Sequence, residues 1–188
     1  MRRPRAFGTQ TILRHWREAV PNDRLAHLVK DATRALVRAL SMRLAVHKVS
    51  FGHWTFLRIL WEGDGLTQRE LSAEAGVMEP TTFAALRAME RLGTVTRRQV
   101  GRDRKKVHVF LTPKGRALKR RLVPLAEEVN NIAVAAVSPA DIAAARAVLL
   151  AIIENLARDE ETAPTRMPST RALARIVARR KSRPRKRM

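Results

Sequence analysis

Residues 66–111 read LTQRELSAEAGVMEPTTFAALRAMERLGTVTRRQVGRDRKKVHVFL, and their punctuation decides the fold. Thr67 with Glu70 three positions on is a capping box, in which each residue satisfies an otherwise unpaired amide of the other. It predicts a short helix from Thr67 to Ala75, ended by a turn at Gly76-Val77. A second helix follows from Pro80 to about Leu92. Proline suits a first helical turn, and Gly93 permits a left-handed exit. Two strand-like runs come next, 94–100 and 106–111. The second alternates Val107, Val109 and Leu111 against His108 and Phe110, with Gly101-Arg102-Asp103-Arg104 as the hairpin tip.

Helix, tight turn, helix and basic hairpin in uninterrupted order predict a winged helix-turn-helix. That motif lays its second helix in the major groove and reaches sideways with the wing to backbone or minor groove. Around it the chain reads as helix. From Asp23 to about His47, Leu25, Leu28, Val29, Ala32, Leu36, Val37, Leu40 and Leu44 recur at three- and four-residue steps, one apolar stripe. Ser50 caps a second segment, whose Phe51, Trp54, Leu57, Ile59, Leu60 and Trp61 predict burial on several sides, and which ends at Glu62-Gly63-Asp64-Gly65. Thr112-Pro113 opens a long helix to about Val137, with a bend expected at Pro124. Ser138-Pro139-Ala140-Asp141 opens the last core helix, and Pro164 and Pro168 mark its exit. The fold class expected is mainly α with a small β-wing. The predicted organisation is a basic N-terminal arm (1–21), helical dimerisation segments (22–48 and 113–161), the winged helix-turn-helix (49–112) and a basic C-terminal tail (162–188).

Among 188 residues, 38 Lys+Arg stand against 17 Asp+Glu, a net charge of +21, which calls for a polyanionic partner. Both ends are strongly basic: residues 164–188 hold no acid at all. A second concentration lies in the hairpin, where Arg97, Arg98, Arg102, Arg104, Lys105 and Lys106 face only Asp103.

The combination Leu66-Thr67-Gln68-Arg69-Glu70-Leu71, Gly76-Val77, Pro80-Thr81, Leu86, Met89-Glu90-Arg91-Leu92-Gly93, Arg97-Arg98, Asp103-Arg104-Lys105 and Leu111-Thr112-Pro113-Lys114-Gly115 resembles the MarR (multiple antibiotic resistance regulator) family of bacterial transcription factors. The resemblance covers roughly 23–161. It implies a homodimer with intertwined terminal helices, two winged domains on palindromic double-stranded DNA, and release by a small aromatic or phenolic effector. A cytoplasmic, nucleoid-associated repressor is the reading that follows. Two positions depart from the family pattern: Lys105 stands where arginine is common in the wing signature, and Ala84 where a polar or basic residue is usual. Lysine neutralises a phosphate but lacks the bidentate fork of guanidinium.

On the second helix Ala85, Leu86 and Met89 are expected inside, leaving Pro80, Thr81, Thr82, Phe83, Ala84, Arg87 and Arg91 outside. Thr82 and Phe83 are expected on thymine methyl groups, and Thr81 on a phosphate or base edge, so direct readout is sparse and shape readout correspondingly larger. Arg87, Arg97, Arg98, Arg102, Arg104, Lys105 and Lys106 are expected to meet phosphate, Arg102 or Arg104 to enter the minor groove, and Asp103 to pair with a neighbouring Arg or Lys and fix wing shape without touching DNA. Trp16, His47, His53, Trp54, Arg58 and Trp61 offer aromatic walls and cationic or hydrogen-bonding groups for an effector pocket; alternatively Trp54 and Trp61 are core, and Arg58 pairs with Glu62 one turn on.

Other chemistries lack their residues. Without cysteine there is no disulfide, thiol nucleophile or cysteine-held metal. His15, His27, His47, His53 and His108 show no metal-ligand spacing, and neither a phosphate loop nor a nucleophile motif occurs. Adjacent Glu127 and Glu128 point about 100° apart on a helix, a poor acid/base pair. No enzyme activity, cofactor or metal is expected. No apolar run approaches the roughly 18 residues of a bilayer span, and the arginine-rich start lacks a following apolar stretch, so neither membrane insertion nor a secretory signal is expected. The alternative function is a nonspecific architectural or nucleoid DNA-binding protein without a ligand.

Overall fold

The computed structural model describes residues 25–100 and 106–162. Its elements run α1 (Leu25–Val46), α2 (Phe51–Glu62), α3 (Gln68–Glu74), α4 (Glu79–Arg91), β1 (Val95–Gln99), β2 (Val107–Leu111), α5 (Pro113–Ala133) and α6 (Pro139–Thr162). The chain divides into two compact units with the boundary between Ala135 and Ala136.

In the first unit the caps fall where the sequence places them. The Ser50 hydroxyl accepts from His53 N (3.2 Å), and that of Thr112 from Gly115 N (3.1 Å). Thr67 and Glu70 complete both halves of the capping box. α4 starts one residue earlier than read, at Glu79, with Met78 as a cap that makes no side-chain bond. α5 stops at Ala133, short of Val137, and carries Pro124 in its interior.

One core joins these elements. Leu44 of α1, Leu57 and Leu60 of α2, Leu71 of α3, Leu86 and Met89 of α4, Val109 of β2 and Leu122 of α5 are essentially inaccessible. Only the C-terminal part of the α1 stripe enters it: Leu40 and Leu44 are buried, while Leu25, Leu28 and Leu36 remain exposed.

β1 and β2 form an antiparallel hairpin registered Val95↔Leu111 through Gln99↔Val107. The other edge of β2 is also occupied. Val109 N donates to Leu66 O (2.8 Å), Gly65 N donates to Val109 O (3.0 Å), and Thr67 bridges His108. This segment half-covers His108 and Phe110, which a free wing would leave exposed. Asp64 locks the corner: its carboxylate accepts from Leu111 N (2.8 Å) and pairs with Arg116 (2.6 Å).

The second unit contributes α6. Ser138 caps it through Asp141 N (3.1 Å), and none of its residues is buried. Ile142, Val148, Leu149, Leu150, Ile153 and Leu156 are all exposed.

Candidate nucleic-acid interface

Helix α4 is held by its inward stripe. Thr82, Leu86 and Met89, spaced i, i+4, i+7, are fully buried. Thr82 thus corrects the sequence reading: its hydroxyl accepts from Ser72 Oγ of α3 at 2.8 Å inside the core, and it does not face outward to a base. A buried hydroxyl without a partner is costly, and this pair satisfies both groups while fixing how α3 crosses α4. Thr81, Phe83, Ala84, Arg87 and Arg91 occupy the exposed side as expected. Phe83 is 44% exposed, so it is a surface ring and not core.

Phe83, Arg87 and Glu90 follow one another at i, i+4, i+7, and Arg97 of β1 lies across this stripe. Its guanidinium carbon is 5.6 Å from the Phe83 centroid, and that of Arg87 is 5.7 Å away, both within cation–π range. Arg97 also donates from Nε (3.0 Å) and Nη2 (2.7 Å) to Glu90 Oε2, and its backbone N to Oε1 (3.3 Å). These charge-assisted bonds hold the Glu90 carboxyl below the usual carboxylate range. Arg97, expected to meet phosphate, has its side chain turned back onto the helix and only 22% exposed. Arg98 and Lys106 are exposed, and the Lys106 charge helps to lower the Glu70 pKa. Arg102, Asp103, Arg104 and Lys105 lie outside the described residues.

Behind α4 the two stretches 89–93 and 111–115 meet. Gly93 (φ +69°) takes the left-handed exit that its missing side chain allows, and its carbonyl accepts from the Thr112 hydroxyl (2.7 Å). Lys114 Nζ donates to Leu92 O (2.7 Å), capping the C-terminal end of α4. Gly115 is buried against the Thr94 carbonyl so closely that a Cβ would collide with it.

A cleft of about 350 Å³ opens beside this junction. Its floor is apolar, with Val49, Leu57, Leu92 and Leu118, and its rim carries Lys48, Lys114 and Arg121. Of the residues expected to form an effector pocket, His47 and His53 line it. Burial depresses the His53 imidazole pKa, which favours the neutral ring. Trp54 and Trp61 are not among the lining. Trp54 is buried and meets Trp61 edge to face at 5.6 Å, and Trp61 Nε1 donates to Gly115 O (3.0 Å). Arg58 is exposed away from the cleft; Glu62 pairs instead with Lys119 (3.4 Å). Trp16 lies outside the described residues. Lys48, Lys114 and Arg121 were missed by the sequence reading; the Leu111-Thr112-Pro113-Lys114-Gly115 motif marked only one of them. Among the described residues no three His, Asp or Glu side chains gather as a metal site, and no helix is long and apolar enough to cross a membrane.

An exposed second helix packs beside a basic hairpin, and the model of the MarR family matches residues 49–107. The chain belongs to the MarR family. It is 31% identical over 111 residues to the HTH-type transcriptional regulator TtmR of Methylorubrum extorquens (strain PA1), covering 59% of this chain and 57% of that one. To the homoprotocatechuate degradative operon repressor of Escherichia coli it is 32% identical over 99 residues, covering 53% and 65%. The chain therefore spans less than two thirds of these MarR-type relatives. Among solved structures, transcriptional regulator PA3341 superposes with a TM-score of 0.65 at 32% identity, covering 72% of this chain and 99% of that one. NadR in complex with 4-hydroxyphenylacetate shares the fold, with a TM-score of 0.59 at 19% identity over 71% and 95%. The mainly helical winged architecture is thus that of MarR structures.

Proposed function

We propose that this chain is a homodimeric DNA-binding transcriptional regulator, a repressor, acting on a palindromic operator in the bacterial cytoplasm and nucleoid. The observation that carries the reading is the exposed face of α4 lying beside a basic hairpin, both packed on one core, the arrangement needed to enter a major groove and grip the flanking backbone. Membership of the MarR family and the repressor name of one relative support it. Two-fold pairing is supported by the apolar side chains left exposed on α1 and on α6.

The cleft supports a small acidic aromatic effector. Its apolar floor suits a ring, and the cationic rim suits a carboxylate. Lys114 belongs to both the rim and the cap of α4, so an anion competing for its ammonium would disfavour the DNA-competent placement of that helix. NadR, which is solved with 4-hydroxyphenylacetate, gives the ligand class a precedent in the fold.

One observation favours the architectural alternative. With Thr82 buried and Ala84 exposed, α4 offers few hydrogen-bonding groups to bases. A salt titration of duplex binding by the full chain tests the shared premise. Affinity falling steeply and linearly on logarithmic axes is expected, and no measurable affinity at low salt would end both readings.

A further inference from the structure

Recognition surfaces need their positive groups sorted: some neutralise phosphate, others are held for bases. In this chain the sorting is built into Glu90. It is an acidic residue on a DNA-reading helix, where an unpaired carboxylate would repel the duplex, and its charge is spent on Arg97 through three hydrogen bonds. Arg97 in turn spans from Glu90 back to Phe83, one end of the stripe to the other, with Arg87 against the same ring.

We propose that Glu90 is a specificity-positioning residue: it withholds the Arg97 guanidinium from phosphate and pins it against Phe83, so that Phe83 and Arg87 present one fixed reading pair to the major groove. The chemistry of that pair names its target. An exposed phenyl edge packs on the C5-methyl of thymine, and a guanidinium steadied over a ring presents its fork to O6 and N7 of guanine. The preferred half-site accordingly holds a thymine beside a guanine.

This rests on the DNA-binding reading above, and the experiment separates the two. Full-length protein is used to select duplexes from a random pool. The salt dependence of binding is then measured on the selected duplex, on a scrambled one, and on the selected duplex with uracil replacing that thymine. The double variant Glu90→Gln/Arg97→Gln, which removes the pair without freeing either charge, is expected to leave the salt slope unchanged, whereas Arg98→Gln, at an exposed neighbour, lowers it by about one. Glu90→Gln is expected to do the reverse: the freed Arg97 raises the slope by about one, and preference for the selected over the scrambled duplex falls by about fivefold. Uracil weakens wild-type binding about fourfold and leaves Phe83→Ala indifferent. A merely structural Glu90 would lower the melting temperature without raising the salt slope. Should Glu90→Gln fail to fold, the double variant still decides, because a slope reduced by one when both charges of the pair are removed would make Arg97 a phosphate ligand and overturn the proposal. No change in slope or preference with folded Glu90→Gln also overturns it, while a wild-type chain that binds no duplex overturns the DNA-binding reading itself.

Discussion

The Lys114 ammonium donates to the Leu92 carbonyl across 2.7 Å, joining the first turn of α5 to the residue that closes α4. One lysine thereby touches both the end of α4 and the cleft behind it.

Replacing it with an uncharged chain of similar length separates those roles from stability. Lys114→Met is expected to cost no more than about 1 kcal/mol, because the bond is exposed to solvent. Its larger consequence is regulatory. If 4-hydroxyphenylacetate weakens duplex binding by the wild type, the variant's binding should be insensitive to it. Fluorescence anisotropy with and without the acid measures this, and an equal response in both proteins contradicts the role given to Lys114.

Gly115 lies under the Thr94 carbonyl with Leu111 beside it. Gly115→Ala forces backbone apart at the α5–hairpin junction, so a loss of about 1–3 kcal/mol is expected in urea unfolding. An unchanged midpoint would mean the junction is looser than described.

Thr82→Val removes the bond with Ser72 at nearly constant volume. Stability should fall by about 0.5–1.5 kcal/mol, with the duplex sequence selected by the protein unchanged. The opposite pattern, intact stability with altered selection, would return Thr82 to the reading face.

Acid should destabilise the fold in two stages. Burial lowers the His53 pKa, and hydrogen bonds lower those of Glu70, Glu90 and Glu128, through Thr67, Arg97 and Arg43 respectively. All four bind protons less readily folded than unfolded, so their contributions are present above the ordinary pKa values and are lost as pH falls. The His53 contribution goes first, below the normal imidazole range, and the carboxylate contributions follow at lower pH. Melting temperature against pH should show both, with His53→Gln flattening the upper part and Glu90→Gln the lower. A profile unaffected by either substitution contradicts these assignments.

Local signals were the legible ones. Ser50, Thr67, Thr112 and Ser138 each bond an amide two or three positions on, a relation written in adjacent residues. Thr82 was legible too, since it shares the 82/86/89 stripe with Leu86 and Met89, but its hydroxyl outweighed its position in the reading. The Glu90–Arg97 lock and the cleft were harder. Charge alone does not tell a guanidinium that meets phosphate from one committed to a carboxylate seven residues away. His53 and Arg121 share a cleft across 68 residues of sequence, which only the packing of α2 against α5 decides. Periodicity in α1 marks a face that seeks cover without saying what covers it, and Leu25, Leu28 and Leu36 remain exposed in the single chain.

The most direct test is duplex selection from a random pool by the full-length protein, with sedimentation of the resulting complex. Two chains on one site, with inverted half-sites whose centres lie about one helical turn or a whole multiple apart, are the expected result. Enrichment of no sequence at all, or a single chain on an asymmetric site, would contradict a two-fold regulator that reads DNA through α4.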